Sequence, residues 1–194
     1  MILSDRDIRV AISAGDIVID PFDERNLQPA SVDLHLGRFF ATFDTVKHHV
    51  IDPRKPLEGA MIQHEIDDNR PFVMHPGGFA LGLIAERTGV CDSMVGRLEG
   101  KSSVGRLGML IHVTAGFLDP GNELNMTLEL HNTADMPVLL FPGMPIAQIA
   151  FERISSPADN PYGARSLTSK YSGDTRPVAS QMYRNFDPET GEWK

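Results

Sequence analysis

Met126-Thr127-Leu128-Glu129-Leu130-His131 alternates strictly between apolar and polar residues. A period of two is that of a strand, so Met126, Leu128 and Leu130 belong to one face and Thr127, Glu129 and His131 to the other. Glu129 then points away from the main apolar layer, where a carboxylate on a solvated face is ordinary. Short runs of strand character recur on either side, at residues 31–36, 39–43, 72–74, 79–85, 96–98, 109–113, 138–141 and 146–154. Pro76-Gly77, Pro120-Gly121 and Pro142-Gly143 punctuate them as turns. The start of the chain reads differently: Ser4 is an N-cap, Asp5 and Asp7 suit a first helical turn, and Ile8, Ala11 and Ile12 form an apolar stripe that stops at Gly15. One short helix followed by many short strands, with no helices alternating between them, predicts a mainly β fold, a distorted antiparallel barrel or jelly-roll-like sandwich.

The length of 194 residues suits one domain with a real core, residues 1–154, and no need of staples. From Ser155 onward Pro157, Pro161, Gly163, Gly173 and Pro177 are spread among polar residues, so 155–194 reads as a C-terminal arm or, on composition alone, a frayed tail. Hydrophobic content of 41% and charged content of 23% are those of a soluble protein, and no apolar run approaches a membrane span. No basic segment leads into an apolar one at the start, so no signal peptide is expected. The single cysteine, Cys91, rules out an internal disulfide framework and suits a reducing cytoplasm; with no motif around it, it reads as a small buried hydrophobe. A net charge of −8 argues against a nucleic-acid surface. A local cationic pocket for a small anion remains compatible with it.

Such a pocket is suggested by Gly96-Arg97-Leu98-Glu99-Gly100-Lys101-Ser102-Ser103-Val104-Gly105-Arg106-Leu107-Gly108. Glycines let the backbone come close to an anion, Lys101 and Arg106 neutralise it, and the hydroxyls of Ser102 and Ser103 add hydrogen bonds. It is not a nucleotide-binding P-loop, because three residues rather than four separate Gly96 from Gly100 and a strand is predicted to follow. Asp119 lies ten residues before Glu129, and a turn at Pro120-Gly121 could fold the two carboxylates towards one cleft. A zinc-type deaminase site is out of reach with one cysteine, and none of His35, His48, His49, His64, His75, His112 and His131 stands in its signature.

Taken together, residues 96–108, the run His112-Val113-Thr114-Ala115-Gly116-Phe117-Leu118-Asp119-Pro120-Gly121, residues 126–132 and Pro142-Gly143-Met144-Pro145-Ile146-Ala147-Gln148-Ile149-Ala150 resemble the dCTP deaminase family of the trimeric dUTPase-like superfamily. Gln28-Pro29-Ala30-Ser31-Val32-Asp33 and Ser169-Lys170-Tyr171 extend the resemblance to nearly the whole chain. It implies a dUTPase-like fold, a homotrimer with sites between subunits, and an arm that closes over them. It implies Glu129 as the catalytic glutamate, Asp119 as a substrate-binding and water-orienting aspartate, and Ser102 beside the attacking water. Lys101, Ser102, Ser103, Val104, Gly105 and Arg106 would hold phosphates and base, with Thr127, Leu128 and Gln148 contributing from strands and Tyr162, Lys170 and Asp174 from the arm.

Deamination at C4 of cytosine needs a water to lose a proton while the ring nitrogen and the departing amine gain protons, so one shuttling carboxyl can act as base and then acid. Partial desolvation, which raises a carboxyl's pKa, would suit that work. The implied ligands are dCTP and dUTP with Mg²⁺ carried by the phosphates and no zinc; inhibition by dTTP is a further possibility the family raises. Gly116-Phe117 is similar to members that also cleave the triphosphate, so the expected product is dUMP, formed without release of dUTP. A deaminase that stops at dUTP and an inactive nucleotide-binding regulator are the alternatives. The chain departs from related bifunctional members at Asp174, where a glutamine is usual and an acid adds like-charge repulsion, and at 121–125, which lacks an aromatic and a second glycine.

Overall fold

In the computed structural model, which describes residues 1–57, 59–164 and 169–194, a short helix leads into a curled antiparallel sheet. The first half of the chain forms α1 (Asp5–Ala14), β1 (Ile17–Asp20), β2 (Leu27–Gln28), β3 (Ser31–Phe43), β4 (Met61–Glu65), β5 (Phe72–Met74) and β6 (Phe79–Val90). The second half forms β7 (Met94–Gly100), α2 (Ser102–Gly105), β8 (Met109–Leu110), β9 (Phe117–Leu118), β10 (Glu123–Asn132), β11 (Val138–Leu140) and β12 (Pro145–Arg153). The mainly β, barrel-like expectation is met.

The main sheet runs β8-β10-β6-β3-β12-β7-β9, with β1 added on β6 and β2 and β4 on β3, while β5 and β11 pair separately. A flat sheet of seven strands would be about 29 Å wide. Its outermost strands, β8 and β9, are joined by residues 111–116 alone, a span of about 25 Å at full stretch. The sheet therefore has to curl until its two ends approach, and segment 111–116 crosses the seam.

β10 realises the alternation seen in the sequence: Met126, Leu128 and Leu130 are buried, and Thr127, Glu129 and His131 are half-buried on the other face. The apolar face joins a core around Phe40, Leu36, Ile84, Leu98, Leu118 and Phe151, all fully buried, with Phe40 stacked on Phe72 at 4.4 Å between ring centres. α1 sets Ile8 and Ala11 into this core.

Several elements differ from the sequence reading. Residues 31–36 and 39–43 are one strand, β3, which pairs with β12 through Val32–His35, with β6 from Leu36 to Ala41 and with β4 through Phe39–Phe43, the β6 register breaking between Leu36 and Phe40. The predicted strand 109–113 stops at Leu110, because the amides of Val113 and Thr114 bond a side chain instead of a neighbouring strand. Residues 102–105 turn as α2, where a loop running into a strand was expected. Ser4 stands at the N-cap position, but its hydroxyl donates to Asp7 (3.3 Å) rather than accepting a backbone N–H. Cys91 is half-buried against the core, its Sγ 3.2 Å from the Ser93 hydroxyl.

The described part of the arm lies against the core. The Ala158 amide donates to the Asp92 carbonyl (2.9 Å), the Tyr162 amide to that of Pro120 (2.8 Å), and the Asn125 amide to that of Asp174 (3.0 Å). Arg176 sits over the Phe39 ring at 3.4 Å, a cation–π contact. Residues 165–168 of the predicted arm fall outside the described residues. Among the described residues no helix is long and apolar enough to cross a membrane.

Candidate active site

Glu129 is held on the polar face of β10, where β8 ends and the seam segment begins. Its Oε2 accepts from the amides of Val113 (3.0 Å) and Thr114 (2.9 Å), with the Thr114 hydroxyl at 3.5 Å. Three donors on one oxygen anchor the carboxylate from one side and tie the seam segment to β10. The other oxygen takes none of these bonds.

Glu129 lines a cavity of about 380 Å³ together with Asp119, Asn122 and Thr127. Phe43, Phe79, Leu81, Phe117, Leu118, Leu124 and Met126 make most of its wall apolar, and Tyr162, Tyr171, Val178 and Ser180 of the arm complete it. Phe43 and Phe79, from β3 and β6, stack with ring centres 6.0 Å apart. The volume is that of a small-molecule site, and an apolar wall with a few converging polar groups is its usual chemistry.

Asp119 reaches the cavity because β9 delivers it to a tight turn. The Asn122 amide donates to the Asp119 carbonyl (3.1 Å), and Gly121 has φ +79°, a left-handed conformation that disfavours a side chain. A Cβ at Gly121 would also lie 2.7 Å from Pro161 Cβ of the arm, so the glycine lets the arm rest on this turn. Burial pushes the Asp119 carboxyl above the usual Asp range. A folded-state pKa raised in this way means stability that is present below the unfolded value of 3.8 and lost as pH rises through the folded one. Asp119→Asn is accordingly expected to melt above the parent at pH near 7 and level with it at about pH 3. Thermal unfolding across that range checks this, and equal melting temperatures at every pH would show an Asp119 that folding does not desolvate.

Gly116 is pressed against β7: a Cβ there would lie 2.8 Å from the Leu98 carbonyl oxygen, and its own carbonyl accepts from the Leu98 amide (2.7 Å). It sets the height of the seam segment, and Phe117 beside it is more than half exposed and lines the cavity.

Of the residues singled out in the sequence, the fold brings Asp119, Thr127, Glu129, Phe117 and Tyr162 to this cavity. The basic cluster is not on its lining. Lys101, at the N-cap of α2 just after β7, pairs with Asp33 at 2.5 Å, while Ser102, Ser103, Gly105 and Arg106 are exposed around α2. Val104 and Leu128 have side chains buried in the core, which leaves only their backbones to meet a ligand. Gln148 accepts from the Ser31 hydroxyl (3.3 Å), opposite Asp33 in the β12–β3 register. Lys170 is half-buried beside Tyr171, and burial pushes the Asp174 carboxyl up. Sequence reading missed Phe43, Phe79, Asn122 and Tyr171. The two phenylalanines read as strand residues, and nothing in their spacing of 36 positions announces that they stack.

A family model described as dCTP deaminase-like matches residues 2–154. A protein of Corynebacterium jeikeium strain K411 named "dCTP deaminase, dUMP-forming" is 49% identical over 186 residues, covering 96% of this chain and 99% of that one. One of the same name from Mycolicibacterium vanbaalenii PYR-1 is 48% identical over 186 residues, covering 96% and 98%. Among solved structures, the 2'-deoxycytidine 5'-triphosphate deaminase of Agrobacterium tumefaciens superposes with a TM-score of 0.63 at 20% identity, covering 79% of this chain and 48% of that one, and so shares the fold.

Proposed function

This chain belongs to the dCTP deaminase-like family, and from that premise we propose that it converts dCTP to dUMP, deaminating it to dUTP and cleaving dUTP to dUMP and pyrophosphate without release between the steps. The observation that carries this reading is Glu129, anchored through one oxygen at the wall of a nucleotide-sized cavity that also holds Asp119.

In the first step a water oxygen bonds to C4 of the cytosine. Glu129 takes the water's proton and passes it to the ring nitrogen; a second transfer to the amine lets the C4–N bond break and ammonia leave. The seam amides hold the carboxylate in one orientation throughout, so little reorganisation accompanies the transfers. In the second step Asp119 orients a water and takes its proton as the water oxygen bonds to the α-phosphorus, and the bond from that phosphorus to the oxygen bridging to the β-phosphate breaks with pyrophosphate as the leaving group. A Mg²⁺ ion would enter with the triphosphate, held chiefly by phosphate oxygens and water, and would supply charge neutralisation for that leaving group. Asp119 is the carboxylate that such an ion's water shell would meet in the cavity.

Lys101, Ser102, Ser103 and Arg106 stand off the cavity that holds Glu129, and beside them Leu107, Leu110 and Val113 are about half exposed. Both observations support a homotrimer in which the cationic cluster of one subunit completes the cavity of the next. Gln148, Lys170 and Asp174 belong to the same shared site in this reading. It takes dCTP and dUTP as its nucleotides, and dTTP would compete for it.

The test is phosphorus NMR, with nucleotide chromatography, of protein whose mass by light scattering is that of three chains, mixed with dCTP and Mg²⁺. Equal dUMP and pyrophosphate with no build-up of dUTP is the expected result. Build-up of dUTP would reduce the activity to deamination. An active monomer would refute the shared site, and absence of turnover would leave a nucleotide-binding protein.

A further inference from the structure

Tyr162, Tyr171, Val178 and Ser180 of the arm complete the wall of the cavity that holds Asp119 and Glu129, so where the arm rests decides how closed that cavity is. A row of side chains on one face of β3 gives the arm its place. Phe39, Ala41 and Phe43 alternate onto that face, with Phe39 and Phe43 about 13 Å apart. β4 runs beside it with Gln63 opposite Ala41 and Met61 opposite Phe43, and directly opposed residues share a face. Phe43 and Met61 belong to the cavity wall, and Phe39, at the other end of the row, does not.

Three consecutive arm residues meet this row. Arg176 lies over the Phe39 ring, its guanidinium carbon 3.4 Å from the ring centre. Pro177 is buried, and its carbonyl accepts from the Gln63 side-chain amide (3.4 Å). Val178 lines the cavity together with Phe43 and Met61. Pro177 has no N–H to give and the bond its carbonyl accepts is long, which leaves the ring contact as the specific anchor of this stretch. Among the described residues the Arg176 guanidinium pairs with no carboxylate, so the ring is its partner. A cation over a ring face at an exposed site shifts an equilibrium by about two- to fivefold.

We propose that Arg176 is a positioning residue, a latch on Phe39 that holds the arm over the cavity and, on the dUMP-forming reading above, keeps dUTP in place between deamination and cleavage. The latch touches no reacting atom. Each opening of the arm gives dUTP a way out before its α-phosphate is attacked, so the share of dUTP that escapes scales with the open fraction of the arm.

The experiment compares the parent with Arg176→Met, Phe39→Leu, the double variant and Arg176→Lys. Arm opening is read from hydrogen exchange in peptides spanning residues 171–182, which include the Gln181 amide held by the Tyr171 hydroxyl. Escape is read, with radiolabelled dCTP and Mg²⁺, from the ratio of free dUTP to dUMP early in turnover. Arg176→Met and Phe39→Leu are each expected to raise exchange and the dUTP share about threefold, and the double variant no more than either alone. Arg176→Lys keeps a cation for the ring and should fall between the parent and Arg176→Met, while the rate of dCTP loss stays at the parental value in all four. Additive effects of the two substitutions, or parental exchange and dUTP share in Arg176→Met, overturn the latch. So does a loss of dCTP affinity in Arg176→Met that Phe39→Leu does not share, since the guanidinium would then serve the nucleotide's phosphates. Circular dichroism checks folding; if Phe39→Leu does not fold, Arg176→Lys decides, a result near the parent sustaining the latch and one equal to Arg176→Met overturning it. A parent that itself releases dUTP would remove the coupled reaction and not the latch, which the exchange cycle then decides by the same criteria.

Discussion

Glu129→Gln is expected to lower dCTP turnover by roughly 10²–10⁴-fold, the usual weight of a positioned acid–base group, while nucleotide affinity stays within a few-fold. Glutamine keeps the length and a carbonyl oxygen for the Val113 and Thr114 amides, so the seam segment remains tied to β10. What it loses is the ability to take a proton from water and return it. Glu129→Ala removes the acceptor too, leaves those exposed amides to water, unties the seam segment from β10, and should lower the melting temperature as well as the rate. Steady-state kinetics with calorimetric binding, alongside thermal unfolding of both variants, separates the two roles. Undiminished turnover by Glu129→Gln would remove the residue from the mechanism. Equal melting of the alanine variant and the parent would remove it from the seam.

Gly116→Ala is expected to have the next largest effect, through one methyl group. A Cβ at this position lies 2.8 Å from the Leu98 carbonyl oxygen, which belongs to β7 and is not free to retreat as a flexible side chain would be. Relief requires segment 111–116 to rise from β7, which strains the 2.7 Å bond between the Leu98 amide and the Gly116 carbonyl. Overpacking of this kind costs about 1–3 kcal/mol. The same displacement moves Val113 and Thr114, and with them the Glu129 carboxylate, so kcat/KM should fall by about 10²-fold even though Gly116 itself performs no chemistry. Denaturant unfolding and dCTP kinetics on one preparation check both numbers. Full activity at parental stability would mean that the seam tolerates the shift.

These effects converge on one segment whose nature the sequence misread. Residues 109–113 have the composition of a strand, and local propensity carries no trace of an acceptor at Glu129, 16 positions on from Val113, that captures two of the segment's amides. The burial pattern around Glu129 was legible because alternation is a local property, and β10 shows the predicted faces residue by residue. Likewise Gly121 announces its turn through Pro120-Gly121, and its φ of +79° is a local requirement. The basic run at 96–108 advertised cations, but whether they face a ligand or a neighbour is decided elsewhere: Lys101 meets Asp33, which the chain places 68 residues earlier.

By itself the sequence determined a β-rich chain with one N-terminal helix, the two faces of the strand bearing Glu129, the turn after Asp119, and a motif order that resembles one family of nucleotide enzymes. Each of these rests on interactions between residues a few positions apart, which composition and periodicity record. Tertiary structure alone decided that β3 is continuous, that Phe43 and Phe79 stack as a cavity wall, and that Gly116 is pressed against Leu98. The reason is that pairing register and sheet closure join residues tens of positions apart, and the free energy of those contacts depends on which partners the curl brings within reach rather than on any local pattern.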